Sequence, residues 1–103
     1  LTDINVSLTL DPNPPQVGQI MVTVTLTDAK AQPISAAKVE LEGNMSHAGM
    51  APVIAQATEV GSGSYAAALE FGMAGDWFVL VRASLPDGRK LEHQVNVPGV
   101  KGN

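Results

Sequence analysis

The sequence has no cysteine, which excludes disulfides and thiolate metal sites and leaves the redox compartment formally open. Basic side chains are also scarce. Six Lys and Arg against ten Asp and Glu give a net charge of -4 and a pI near 4.9. The six are scattered, and this balance argues against nucleic acid and against anionic membrane surfaces as partners. No apolar run approaches the ~18 residues of a membrane span, so direct membrane insertion is not expected. The first residues also lack the charged start and apolar centre of a signal segment. Because the chain starts at Leu1 rather than Met, the expectation is a processed exported protein or the soluble part of an anchored one.

Recognisable catalytic frames are missing as well. There is no phosphate loop, no His-Glu-x-x-His, no nucleophile elbow and no calcium loop of alternating Asp and Asn. With two histidines and dispersed carboxylates, an enzyme is not expected. What remains is the composition of a folded globule, 45% hydrophobic and 16% charged over 103 residues. That length holds one domain. Its expected span is 1–98, with 99–103 as a flexible tail.

Alternation of apolar and polar residues dominates the chain. Ile4, Val6, Leu8 and Leu10 mark a first strand, which the stiff Asp11-Pro12-Asn13-Pro14-Pro15 segment must end. Ile20, Val22, Val24 and Leu26 give the core face of a second strand, with Met21 on the opposite face. Ala37, Val39 and Leu41 mark a third. Pro52 to Val60 and Tyr65 to Glu70 have some helical appeal, but both are too short between their proline and glycine boundaries for a typical helix. They are expected to be strands joined by the turn Gly61-Ser62-Gly63-Ser64. Asp76 to Leu85 is apolar on both faces and predicts a well-covered strand. After the turn Pro86-Asp87-Gly88-Arg89, Leu91, His93, Val95 and Val97 share one face of a last strand. About seven short antiparallel strands without a convincing helix predict an all-β, immunoglobulin-like β-sandwich. Trp77, Phe78 and Tyr65 read as core or corner residues rather than a binding platform.

One stretch is chemically distinctive. In Asn44-Met45-Ser46-His47-Ala48-Gly49-Met50-Ala51-Pro52, three of the chain's six Met and His residues fall within six consecutive positions. Thioethers are good ligands for Cu(I) and poor ones for hard cations, and neutral imidazole suits copper in either oxidation state. Met-x-His-x-x-Met therefore reads as a copper site, for Cu(I) in preference to Cu(II). Met and His also resist the oxidation that removes thiol ligands in an oxidising compartment. The other reading is that the methionines fold inward as adaptable core filler and His47 sits in a wet loop.

The chain resembles the YtkA-like and FixH-like family of small exported β-domains. The carrying residues are Gly61-Ser62-Gly63-Ser64-Tyr65, Met73-Ala74-Gly75-Asp76-Trp77 before an apolar strand, and Met45-Ser46-His47-Ala48-Gly49-Met50 before Pro52. The resemblance implies a periplasmic or cell-surface domain, often anchored by a helix outside the sequence. It also implies a link to copper handling or to assembly of haem-copper oxidases.

Strand parity extends the ligand set. If each strand reverses direction, the connections after the third and fifth strands lie at one end of the sandwich, which brings Met73 toward Met45, His47 and Met50. These four are the expected metal ligands. Met21 is a reserve candidate at the same end, and His93 is expected at the edge of the core rather than at the metal. The functional expectation is a copper carrier serving a membrane oxidase, a transporter or a copper chaperone. Its alternative is a metal-free interaction or adhesion module with exposed Met as contacts.

Overall fold

The computed structural model describes residues 4–11, 13–45 and 51–102. Seven strands follow one another: β1 (Asn5–Asp11), β2 (Gly18–Thr27), β3 (Lys38–Met45), β4 (Val53–Gly61), β5 (Ser64–Phe71), β6 (Gly75–Ser84) and β7 (Lys90–Val100). No described residue is helical. The expectation of an all-β sandwich of seven antiparallel strands holds.

All strand pairings are antiparallel, in the order β1-β2-β5-β4-β3-β6-β7. Strand β4 makes this one continuous ladder. Its first half pairs Val53–Ala57 against β3, and its second half pairs Thr58–Gly61 against β5. One strand therefore serves both layers, and the sheet folds over so that β1-β2-β5 faces β3-β6-β7 across the core. The strand order matches the two-sheet layout of seven-stranded immunoglobulin sandwiches.

Period-two patterning selects the buried faces. Ile20, Val22, Val24 and Leu26 on β2, Val39 and Leu41 on β3, and Trp77, Val79 and Val81 on β6 are all at most 2% exposed. Phe71 and Trp77 stack across the two layers, ring centroids 4.7 Å apart and planes 23° from parallel. Tyr65 is the corner residue foreseen for it. Its hydroxyl donates to the Ile34 carbonyl at 2.7 Å and accepts from the Ala37 N–H at 3.1 Å, pinning the β2–β3 crossover, and burial pushes its ionisation above the usual range. The β4–β5 hairpin needs glycine at 63. Its φ is +73°, and a Cβ there would stand 2.7 Å from Pro33 Cβ.

Three expectations are corrected. The last strand does not stop at residue 98, and Gly99 to Lys101 are not a free tail. Val100 is 3% exposed in the core, the Val17 N–H donates to the Lys101 carbonyl at 2.8 Å, and the Lys101 N–H donates to the Pro15 carbonyl at 3.0 Å. A bulge at Pro98 and Gly99 lets β7 continue: Gly75 pairs with Val100 and Trp77 with Val97, so β7 carries one extra residue. Gly99 takes φ +69°, and its N–H donates to Asp76 Oδ1 at 3.0 Å. His93 is exposed although it lies across from buried Val81, because β7 is an edge strand with no neighbour to cover that position. Finally, β3 runs through Asn44 and Met45, which the sequence reading assigned to the following loop.

Candidate metal centre

The reason β3 extends is visible in its side chains. Val39, Leu41, Gly43 and Met45 share the core phase, so Met45 completes an inward-facing row and is only 6% exposed. It lies in register with Trp77 of β6. Glycine at 75 makes room for it. A Cβ on Gly75 would stand 3.0 Å from Met45 Cε, and the φ of +136° at Gly75 is one that other residues rarely adopt.

Met73 lies in the three-residue connection 72–74 between β5 and β6 and is 49% exposed. Its carbonyl accepts a hydrogen bond from Trp77 Nε1 at 2.9 Å. Since β6 starts alongside the last residues of β3, Met45 and Met73 lie at the same end of the sandwich, as strand parity anticipates. His47 and Met50 lie outside the described residues.

The reserve candidate Met21 lies toward the same end but on the other side of its sheet, and His93 lies farther along the molecule. Met21 is 47% exposed on the outer face of β2, between Asp11 and Ala68, so the core separates it from Met45. His93 pairs with Val81, four residues along β6 from Trp77.

The end of the sandwich thus presents one buried thioether, Met45, and one exposed thioether, Met73, on neighbouring elements. That donor chemistry is soft and uncharged, which fits Cu(I) and is unsuited to calcium or magnesium. Among the described residues no three His, Asp or Glu side chains form a metal-holding group. The carboxylates on the outer face of β3 and β6 are engaged otherwise. Arg82 pairs with Glu42 at 2.8 Å, Glu92 at 2.9 Å and Glu40 at 3.2 Å. Glu42 also accepts from Asn44 Nδ2 at 2.9 Å, and that bond, followed by Arg82, holds its carboxyl below the usual range.

The sequence reading passed over Gly75 and the full role of Trp77. Both sit in the quoted Met73-Ala74-Gly75-Asp76-Trp77 segment, where a glycine immediately ahead of an apolar strand signals a close approach.

The family model described as YtkA-like matches residues 1–82. The crystal structure of the PmoD soluble domain from Methylocystis sp. ATCC 49242 (Rockwell) is similar in fold, with a TM-score of 0.56 and 12% identity. The likeness covers 98% of this chain and 92% of that one. No curated protein matches the chain.

Proposed function

Because the chain belongs to the YtkA-like family, we propose that it is an exported, non-enzymatic domain that binds Cu(I) at the Met end of its sandwich and passes it to a partner. The observation that carries this reading is that Met45 and Met73 lie at the same end of the sandwich, Met45 being in sequence the first residue of the Met-x-His-x-x-Met motif with His47 and Met50. The exposed thioether of Met73 gives an incoming ion a first contact. The flexible, polarisable side chain of Met45 is buried at the same end. Uncharged ligands suit transfer, since no carboxylate or thiolate has to be reprotonated when the ion leaves.

Copper is cargo in this reading. A periplasmic or cell-surface location, with oxidase assembly or copper homeostasis as the setting, belongs to the same proposal. The test is competition with a chromophoric Cu(I) chelator under anaerobic, reducing conditions. One equivalent of Cu(I) is expected to be retained, and affinity is expected to fall with Met73→Leu, Met50→Leu and His47→Ala. Acidification from neutrality to about pH 5 is expected to weaken binding, because imidazole binds only when neutral and its reference pKa is about 6.5. Wild-type protein that never competes with the chelator overturns the reading.

A second reading has its own observation. On the outer face of the β4-β3-β6 region, Ile54 is 56% exposed and shares that face with half-buried Leu80 and Phe78. An interaction module would use exposed Ile54, which Glu42 of β3 separates from Leu80, and it would be supported by a protein that binds no copper and loses a partner on Ile54→Lys.

A further inference from the structure

We infer that Trp77 is a positioning residue of the metal end: its indole N–H fixes the Met73 connection at the end of the sandwich where Met45 lies. The inference rests on the Cu(I) reading above and adds a residue that touches no metal in it. Its basis is a chain of contacts. Trp77 is 2% exposed, stacked on Phe71 of the opposite layer, and in register with Met45 on the neighbouring strand. A side chain held on those sides has little rotameric freedom, so its donor points in one direction. That donor meets the carbonyl of Met73 at 2.9 Å. Met73 itself is half exposed in a three-residue connection, where its own burial does little to hold it. The rigid core thereby reaches out through one hydrogen bond to a mobile class of element, and the backbone bearing the exposed thioether is presented at the end where Met45 lies.

Ligand pre-organisation converts directly into affinity. If the binding-competent arrangement is populated only part of the time, the apparent dissociation constant rises by the reciprocal of that fraction. Removing the bond is therefore expected to weaken Cu(I) binding by roughly two- to tenfold, the fold-change matching one net hydrogen bond. A purely structural role for Trp77 would instead lower stability and leave the affinity of the folded protein alone.

The experiment is a double-mutant cycle with Cu(I) and a chromophoric chelator, run at a temperature where every variant is folded. Trp77→Phe keeps an aromatic ring for Phe71 and deletes the donor. It is expected to lower the affinity of the wild-type protein and to have no effect when Met73 is already Leu. Equal affinity for wild-type and Trp77→Phe protein overturns the assignment, and so does an undiminished effect of Trp77→Phe in the Met73→Leu background. Wild-type protein that binds no Cu(I) overturns the copper reading together with this inference, so the two failures are distinguishable.

A second measurement leaves Trp77 in place. As the only tryptophan, it gives a single indole N–H resonance. Saturating diamagnetic Cu(I) is expected to shift that signal in wild-type protein and not in Met73→Leu. An indole signal that stays put as wild-type protein fills with Cu(I) overturns the inference even if Trp77→Phe does not fold.

Discussion

Met45 and Met73 are the same residue type at the same end of the molecule, yet packing gives them opposite sensitivities. Met45 is 6% exposed inside the core, so truncation to Ala is expected to lower stability by about 2–5 kcal/mol, while Met45→Leu should lose less than about 1.5 kcal/mol. Met73 is 49% exposed, and Met73→Leu should leave stability within about 0.5 kcal/mol of the wild type while weakening Cu(I) binding. Thermal melts beside chelator competition check both. A Met45→Leu variant that loses copper but keeps its melting temperature identifies a ligand, because volume is roughly conserved while the sulfur is deleted. The residue scale also explains why Gly75 is not replaceable. Gly75→Ala combines an unfavourable φ of +136° with a Cβ 3.0 Å from Met45 Cε, and it is expected to lower the melting temperature and disturb Met45.

At the scale of elements, the hydroxyl of Tyr65 joins β5 to the β2–β3 crossover. Tyr65→Phe leaves the Ile34 carbonyl and the Ala37 N–H without that partner, for an expected loss of about 1–2 kcal/mol in urea unfolding. The outer face of β3, β6 and β7 carries a different kind of link. There Arg82 bridges Glu40, Glu42 and Glu92. Glu42 has its carboxyl held below the usual carboxylate range, first by Asn44 and then by Arg82. A carboxylate whose folded pKa is depressed adds stability that is complete above its unfolded value and is lost as pH falls through the folded one. Thermal stability should therefore decline as the pH drops below about 4.5. Glu42→Gln should flatten that part of the profile, and an unchanged acid slope would show that Glu42 makes no contribution to it. These surface pairs are screened by salt, so the difference should shrink at high ionic strength.

At the scale of the whole molecule, β1 and β7 are the two edges of the folded sheet, and the segment 15–17 is hydrogen-bonded to Lys101 between them. Deleting residues 99–103 would remove buried Val100 and both of those hydrogen bonds. The expected loss is roughly 2–4 kcal/mol from one buried valine and two hydrogen bonds, read as a lower urea midpoint. Far-ultraviolet circular dichroism should show β structure with little helix, since the two segments with helical appeal are β4 and β5.

The alternation of Ile20, Val22, Val24 and Leu26, and of Trp77, Val79 and Val81, already specified strands and their buried faces, because a period of two leaves each side chain one side to occupy. Turn residues such as Asp87-Gly88 and Gly61-Ser62-Gly63-Ser64 set where strands reverse, so strand count and parity, and with them the shared end of Met45 and Met73, were legible from local pattern alone. The division of β4 between two layers was not legible, since Val53–Ala57 and Thr58–Gly61 differ only in which neighbour the folded sheet offers them. Nor was the burial of Met45: in sequence it belongs to a Met/His cluster, and only the row Val39, Leu41, Gly43 and Met45 packed beside Trp77 and Gly75 draws it into the core. The Pro98-Gly99 pair read as the start of a tail, but opposite Asp76 it forms a bulge that carries Val100 back inside. Local chemistry determined which residues carry the soft donors proposed for copper. Tertiary contacts decided which thioether is buried, which is exposed, and that Trp77 joins them, because such distinctions depend on partners distant in the chain.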